Sequence, residues 1–288
     1  KGYAKWIGRY DKYGNMIESA YFDTDGEPVR DKEGVMKVEA VYNNKGYISS
    51  ISYVDAGGNL VPNKIGIAQV TITYDNNNNL EKISFKDADG APCPIANVRL
   101  EYDESGNQTG QFVSCLEDKL FQPAGFNWRA KYDKGNLVEK VYLNNVKEPY
   151  LNPNEGYAKY IAKYNERGRL IELSFFDTEE KPCLNNKGYA KVSYGYDEWG
   201  NVTEILFLGV DGKPCTDSSG VVRCVMRYDE RGNKIEEATS DTEGTPCLNA
   251  QGAAKMTAVC DSWGNVTEMT YWGTDGRLGL NKEGFAKL

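Results

Sequence analysis

Apolar and polar residues alternate along short stretches of the chain. Ala190, Val192 and Tyr194 occupy every second position, and the positions between them carry lysine and serine. A period of two is typical of a strand with one buried face. A second alternating stretch begins at Thr203, after the segment YDEWGN, whose glycine can adopt the left-handed conformation that closes a tight turn. The pattern predicts a β-hairpin.

The hairpin pattern recurs with a period of 32 residues. The recurring glycines are Gly2, Gly34 and Gly66, then Gly156, Gly188, Gly220, Gly252 and Gly284. In most units a tyrosine follows eight residues after this glycine, and Cys260 is the exception. A period between about 20 and 50 residues indicates a repeat architecture, in which neighbouring units share a core.

The period predicts an all-β fold of about nine tandem antiparallel hairpins, forming an elongated or superhelical, solenoid-like sheet. We expect one array over residues 1–288, which starts and stops at the same point of the unit, so that it either continues in a longer protein or closes on itself. The units lie near 1–29, 30–61, 62–93, an irregular 94–120, 121–150, 151–183, 184–215, 216–247, 248–279 and a partial 280–288.

The charge pattern supports the hairpin and suggests its register. A four-residue loop would place Arg9 opposite Glu18 and Tyr10 opposite Ile17. The same offset pairs lysine or arginine with glutamate in later units, as in Lys163 with Glu172, Arg227 with Glu236 and, across a shorter turn, Lys131 with Glu139. Such pairs contribute only about 0.2–1 kcal/mol each, so they select the register more than they stabilise the sheet.

A second connection carries Asp-Gly or Glu-Gly followed by proline. Asp-Gly favours a turn, and proline marks the exit from a strand because it lacks an N–H donor. Asp23 with Asp25, and Asp87 with Asp89, also resemble fragments of calcium loops. The EF-hand spacing is missing, so we expect structural turns and no cofactor, and calcium binding stays the weaker alternative.

Composition narrows the function. The chain has 42 acidic and 34 basic residues, a net charge of −8, which disfavours nucleic acid and anionic lipid as partners. No stretch approaches the roughly 18–20 apolar residues of a membrane span, so no membrane insertion is expected. Histidine is absent, which removes the commonest general base and metal ligand. An enzyme is therefore not predicted.

Four of the seven cysteines occupy one position of the unit, after the turn proline; they are Cys93, Cys183, Cys215 and Cys247. Stacked hairpins would separate them by about 10 Å, which exceeds the roughly 7 Å Cα limit of a disulfide. We expect free thiols that pack as small apolar groups.

Two groups of aromatic residues are candidates for binding. Phe121, Phe126 and Trp128 lie in or beside the stretch where the repeat is irregular, and we predict that they form an exposed contact surface. A decayed unit that bends the stack is the simpler and favoured explanation of the irregular stretch, and these three residues are the candidates for a contact surface within it. The aromatics that follow the recurring glycine, namely Tyr3, Tyr157, Tyr189 and Phe285, could stack on sugar rings, but a core role is favoured.

The segment YDExGN, at residues 102–107, 196–201 and 228–233, resembles the YD repeats of bacterial RHS-type surface and toxin-shell proteins. The resemblance implies a β-hairpin array from a bacterial cell-surface or secreted protein with a scaffold or adhesion role. The unit is longer than the YD repeat by the connection that contains DGxPC and GYAK. The repeat carries no functional residues to transfer.

Three functions follow from these observations. The first is a non-enzymatic extracellular or cell-surface repeat protein that binds a protein or glycan, or spaces other domains. The alternative is a carbohydrate-active enzyme or carbohydrate-binding module that uses Asp, Glu and aromatic residues. The third is an adhesive array stabilised by calcium.

Overall fold

A computed structural model of the chain describes residues 3–115 and 127–288. It divides into two compact units, Lys1–Arg129 and Ala130–Leu288. All regular structure in the described ranges is β, with 18 strands. A helix of the length and apolar character needed to cross a membrane does not occur in those ranges.

The strands of the first unit follow one another as antiparallel neighbours. They are β1 (Lys5–Tyr10), β2 (Met16–Phe22), β3 (Lys37–Tyr42), β4 (Ile48–Val54), β5 (Gln69–Tyr74), β6 (Leu80–Lys86), β7 (Pro92–Tyr102) and β8 (Gln108–Cys115). A further strand, β9 (Asn127–Asp133), contains the division between the units.

The second unit repeats this arrangement with sequential antiparallel pairs. Its strands are β10 (Asn136–Leu143), β11 (Lys159–Tyr164), β12 (Leu170–Phe176), β13 (Lys191–Tyr196), β14 (Val202–Leu208), β15 (Arg223–Tyr228), β16 (Lys234–Ser240), β17 (Lys255–Cys260) and β18 (Val266–Trp272). The predicted all-β array of tandem hairpins is confirmed.

In eight hairpins the pairing shifts by one residue next to the first turn, and the predicted register is wrong at that position. Arg9 lies opposite Glu18 as expected, but Tyr10 pairs with Met16 and not with Ile17. The turn is tight: the Gly14 amide donates to the Asp11 carbonyl at 3.1 Å, and Gly14 has a φ of 86°. Ile17 is therefore an extra residue, a bulge that follows the left-handed glycine.

Most of the described repeats contain a third turn that the sequence analysis did not separate from the second connection, whereas β7 follows the second turn after β6 directly. In the segment DKEGV, the Gly34 amide donates to the Asp31 carbonyl at 3.1 Å. The Asp31 Oδ1 atom accepts hydrogen bonds from the amides of Glu33 and Val35, both at 2.9 Å. The first turn at Asp11 and the second at Asp23 are built in the same way. The three turns of the repeat therefore share the same hydrogen-bond pattern, in which the first residue of the turn accepts from two backbone amides.

The core lies along the residues that immediately follow the third turn. The buried ones are Val35, Ala68, Tyr157, Ala158, Tyr189, Ala190, Val221, Val222, Ala253 and Ala254. Ala158 donates its amide to the Phe176 carbonyl at 2.9 Å, which places this segment at the start of the next hairpin. On the sheet, Val192 is 2% exposed and lies opposite Phe207, so the alternating face predicted from the sequence is the buried one.

Aromatic rings fill this core in the second unit. The centroids of Tyr157 and Phe175 are 4.7 Å apart, and those of Tyr189 and Phe207 are 4.5 Å apart and stacked. Such ring pairs stabilise a core by about 0.5–1.5 kcal/mol beyond the area they bury. The core role predicted for the aromatics after the glycine is confirmed for Tyr157 and Tyr189, whereas Tyr3 and Phe285 are exposed.

A candidate binding surface on the first turns

Tyrosine hydroxyl groups join five of the hairpins to the hairpin before them. The Tyr196 hydroxyl donates to the Leu170 carbonyl at 2.6 Å, and the Tyr228 hydroxyl donates to the Val202 carbonyl at 2.9 Å. The same bond is made by Tyr42, Tyr74 and Tyr164. The tyrosine of the YD segment thus holds consecutive first turns in register.

The third turns are joined through the backbone. The Asn186 amide donates to the Glu155 carbonyl at 2.9 Å, and the Ser218 amide donates to the Lys187 carbonyl at 2.7 Å. Equivalent bonds join Lys64 to Glu33 and Lys282 to Gln251. Because only backbone atoms take part, these links do not depend on which side chains occupy the turn.

A glutamate on the second strand of the hairpin lies between two cations. Glu172 accepts from Lys163 of its own hairpin at 2.8 Å and from Lys191 of the next at 3.2 Å. Partial burial alone would raise the pKa of Glu172, but the hydrogen bonds from the two lysines hold its pKa below the usual range. The links to the following hairpin also include Glu18 with Lys37, Glu139 with Lys159, Glu236 with Lys255 and Glu268 with Lys287.

The carboxylate that opens the first turn is fully engaged by the turn itself. Asp229 Oδ1 accepts from the amides of Arg231 and Asn233, both at 2.9 Å, and Asp229 Oδ2 accepts from Asn233 Nδ2 at 2.8 Å. The side-chain bond from Asn233 and these amide bonds lower the pKa of Asp229. The backbone of the turn is therefore fixed, and its two middle residues, Glu230 and Arg231, are exposed.

In the second unit these middle positions carry an alternating row of arginine and tryptophan. Arg167, Trp199, Arg231 and Trp263 occupy the third position of successive first turns. Trp199 is 73% exposed and Trp263 is 88% exposed. The arginines reach toward the following turns: Arg167 Nη1 donates to the Glu198 carbonyl, and Arg231 Nη1 donates to the Ser262 carbonyl, both at 2.8 Å. We name these four residues the turn row.

Shallow hollows separate neighbouring turns along this edge. One hollow of about 390 Å³ is lined by residues of two adjacent turns, including Asp229, Glu230, Arg231 and Asp261. It lies directly beside the residue that precedes Trp263. The arrangement combines flat exposed rings with polar groups able to accept or donate hydrogen bonds.

The aromatic residues predicted as a contact surface are only partly described. Trp128 is half-buried in β9 and lies opposite Gln111. Phe121 and Phe126 lie outside the described residues. The predicted surface at these three residues stays a prediction.

The aspartates of the calcium alternative hold turns. Asp23 Oδ1 accepts from the amides of Asp25 and Glu27, and Asp87 Oδ1 accepts from Asp89 and Ala91, at 2.8–3.0 Å. Over residues 3–115 and 127–288, acidic and cysteine side chains form no group of three or more able to hold a metal ion. The turn geometry accounts for Asp23 and Asp87, and calcium binding stays untested.

The cysteines of the shared position are free thiols, as predicted. The Cys183 thiol donates to the Gly156 carbonyl at 3.8 Å, and the Cys215 thiol donates to the Gly188 carbonyl at 3.9 Å. Partial burial raises the pKa of the Cys215 thiol, and nearby Asp211 and Asp217 raise it further. These thiols therefore help to pack one hairpin against the next.

Comparison with known proteins adds little beyond the fold. No protein-family model matches the chain, and no curated protein matches it. Among solved structures, the Photorhabdus luminescens Tc holotoxin pore matches with 14% identity and a TM-score of 0.46, over 94% of this chain and 16% of that chain. The TcdB2-TccC3-Cdc42 structure matches with 14% identity and a TM-score of 0.49, over 92% of this chain and 12% of that chain. This chain spans less than a fifth of either protein, and the similarity assigns it neither an activity nor a partner.

The turn row was missed by the sequence analysis, although the sequence contained a signal for it. The middle of a solvent-exposed turn favours small or polar residues. Tryptophan at Trp199 and Trp263 departs from that preference, at equivalent positions of two units. The two tryptophans indicate a binding surface only once the structure shows that this position of the turn is exposed.

Proposed function

We propose that the chain is a non-enzymatic repeat scaffold of a bacterial cell-surface or secreted protein, and that its turn edges bind a protein or glycan ligand. The proposal rests on the observation that different residues of the repeat join neighbouring hairpins and face solvent. Its tyrosine hydroxyl, glutamate and third-turn backbone join neighbouring hairpins, while the middle residues of the first turns stay exposed.

The scaffold role is supported by the number of independent links at one interface. Between the hairpins of β11–β12 and β13–β14, Tyr196 bonds to Leu170, Asn186 bonds to Glu155, and Lys191 pairs with Glu172. A single hairpin is marginal in water, so stability must come from such interfaces. A stack built in this way suits the rigid display of side chains at a fixed spacing.

The non-enzymatic part of the proposal is supported by the state of the carboxylates. Asp229 is saturated by turn amides and by Asn233, and Glu172 is held between two lysines. A general acid at neutral pH needs a raised pKa, and the pKa of both groups is lowered. These carboxylates are therefore better suited to structure than to proton transfer.

The extracellular part of the proposal depends on the resemblance of YDExGN to the YD repeats of bacterial RHS-type proteins. The net charge of −8 fits a surface that does not associate with nucleic acid or anionic lipid. A spacer that merely separates other domains is the remaining form of the scaffold role.

A binding and hydrolysis assay on the full chain tests the proposal. The labelled chain is applied to arrays of glycans and of extracellular proteins, and the bound glycans are then assayed for released reducing ends. We expect retention on at least one ligand with no reducing ends released. Release of reducing ends above a heat-denatured control would contradict the non-enzymatic role. Retention on neither array would remove the binding role and leave the spacer.

A further inference from the structure

We infer that Trp199 and Trp263 of the turn row form two subsites for one uncharged, linear glycan. This inference rests on the proposed binding role and specifies its ligand. It goes beyond that role because it names the ring faces that receive the sugar, the charge of the ligand and its direction along the row of turns.

Both tryptophans are held by a rigid backbone. The Trp263 amide donates to Asp261 Oδ1 at 2.8 Å, and the Trp199 carbonyl accepts from Arg169 Nη2 at 2.9 Å. The carbonyls just before them accept from the arginines of the preceding turn. Because the backbone that carries each ring is already fixed, binding costs no ordering of the turn, which makes the exposed ring an effective platform.

The surroundings of the rings favour a sugar over a protein partner. Protein hot spots are aromatic residues whose neighbouring contacts exclude water from them in the complex. Trp199 and Trp263 instead project from turns whose neighbouring residues are Glu198, Arg231 and Ser262, and the rings stand in solvent. A pyranose has an apolar C–H face that packs on an aromatic ring and a rim of hydroxyl groups that needs polar partners. The turn row offers both kinds of contact.

The charges in the adjacent hollow favour an uncharged ligand. Asp229, Glu230 and Asp261 line it together with one cation, Arg231, whose Nη1 atom already donates to the Ser262 carbonyl. Bonds from Asn233 and Asn265 help to lower the pKa of Asp229 and Asp261, so both stay ionised at neutral pH. The three carboxylates repel the uronate or sulfate groups of acidic glycans, and Glu230, which does not take part in the turn bonds of Asp229 and Asp261, can accept hydrogen bonds from neutral hydroxyls.

The spacing of the two rings favours a linear chain of sugars. Trp199 and Trp263 belong to hairpins two repeats apart in the second unit. Four inter-strand spacings of about 4.8 Å separate their turns by about 19 Å. A linear oligosaccharide can contact both rings at once, and the second contact then benefits from the high effective concentration created by the first.

Titration of the full chain with defined oligosaccharides tests the inference. The probes are cellohexaose, xylohexaose, maltohexaose and chitohexaose, with hexagalacturonate as the acidic comparison. Binding is followed by intrinsic tryptophan fluorescence and by calorimetry. We expect at least one neutral probe to bind with a shift of tryptophan emission, and hexagalacturonate to bind at least tenfold more weakly.

Variants of the turn row localise the site. Trp263→Ala is expected to weaken binding at least tenfold, Trp199→Ala to weaken it by a smaller factor, and the double variant to abolish it. Val146→Ala is the matched control, because Val146 is 73% exposed at the tip of a second turn in the same unit. We expect this control to bind as the unsubstituted chain does. Circular dichroism verifies that each variant is folded, which an exposed turn position should permit.

Each contrary outcome overturns the inference in a different way. Failure of all four neutral probes to bind rejects the subsites. Unchanged neutral-glycan affinity in the double variant places the sugar elsewhere and leaves the proposed binding scaffold intact. Preference for hexagalacturonate refutes the charge argument. Release of reducing ends from a bound probe would instead contradict the non-enzymatic role itself, which separates the failure of the two proposals.

Discussion

The Tyr228 hydroxyl donates a hydrogen bond to the Val202 carbonyl, 26 residues earlier in the chain, at a distance of 2.9 Å. The bond joins the end of β15 to the start of β14, on the preceding hairpin. Tyr228, the tyrosine of the YD segment that precedes the turn, therefore also joins two neighbouring hairpins. Local and long-range structure depend on the same residue.

Removal of this hydroxyl should weaken the interface between the two hairpins. Tyr228→Phe keeps the ring and deletes one hydrogen bond, so we expect the free energy of unfolding to fall by about 0.5–1.5 kcal/mol. Urea denaturation followed by circular dichroism measures the change. Tyr10→Phe is the control, because the Tyr10 side chain is exposed. An equal loss in both variants would show that the hydroxyl of Tyr228 has no special role.

Cys260 lies at a position where the tyrosine hydrogen bond between neighbouring hairpins could be introduced. It ends the first strand of its hairpin, where the other units described above have the tyrosine. By the 26-residue offset of Tyr228, a tyrosine there would reach the Lys234 carbonyl. We expect Cys260→Tyr to raise the free energy of unfolding by about 0.5–1.5 kcal/mol. Cys260→Phe should give a smaller gain, and a gain of equal size would assign the effect to ring packing.

Alanine substitutions at two glycines of the third turns distinguish the effect of backbone strain from that of a steric clash between hairpins. Gly156 and Gly220 both have positive φ, 83° and 88°. A Cβ atom on Gly156 would lie 2.7 Å from the Asn186 amide nitrogen of the next third turn, whereas a Cβ atom on Gly220 would meet nothing within 4 Å. Alanine at either position has the left-handed cost of about 1–2 kcal/mol. Alanine at Gly156 adds a steric clash.

We therefore expect Gly156→Ala to lower the free energy of unfolding by about 1–3 kcal/mol more than Gly220→Ala does. Thermal or urea unfolding of the two variants side by side gives the difference. Equal losses would mean that the third turns do not approach each other as closely as the Gly156 and Asn186 positions indicate.

The engaged aspartates predict a loss of stability in acid. The pKa of Asp229 and of Asp261 is lowered in the folded chain, with the asparagine side-chain bond as the largest cause in each turn. A carboxylate whose folded pKa is depressed stabilises the fold above its unfolded pKa, near 4, and loses that contribution as the pH falls through the folded value. The urea midpoint should thus be flat from pH 5 to 7 and decline below about pH 4.

The same argument predicts how one turn contributes to this decline. In the turn at Asn165, the Oδ1 atom accepts from the amides of Arg167 and Arg169 without any charge. Asp229→Asn should therefore keep the two amide bonds to Oδ1 and lose the bond that Oδ2 accepts from Asn233 Nδ2, because an amide nitrogen at that position cannot accept it. We expect the variant to be less stable than the unsubstituted chain at pH 7, and the difference to shrink as the pH falls below about 4. A constant difference across this range would argue against the aspartate as the titrating group.

The sequence was sufficient for the strands, the period and most of the register. Alternation at Ala190 and Val192 and the pairing of Arg9 with Glu18 depend on local chemistry, which a single chain displays directly. The bulge at Ile17 was missed because it depends on how a left-handed glycine shifts the pairing by one residue. The third turn was missed although its Asp-x-x-Gly pattern repeats that of the first.

The candidate site was harder to predict, because exposure is a property of the assembled stack. The aromatics Tyr157 and Trp263 are both large apolar residues next to glycines, yet Tyr157 is buried and Trp263 projects into solvent. Only the position relative to a third or a first turn distinguishes them. Sequence alone likewise could not show that Arg231 reaches the Ser262 carbonyl of the next turn.

The backbone bonds between third turns have a consequence for how such a protein can change. Since Ser218 and Asn186 are bonded through their backbone amides, substitutions at these tips that retain the N–H keep that bond between copies, although a substitution of Asn186 also removes its side-chain bond to the Pro153 carbonyl. The fixed first turns give their middle residues similar freedom. A lineage could thus alter its recognition residues one at a time, and a protein engineer could graft chosen side chains at regular intervals, without redesigning the framework that carries them.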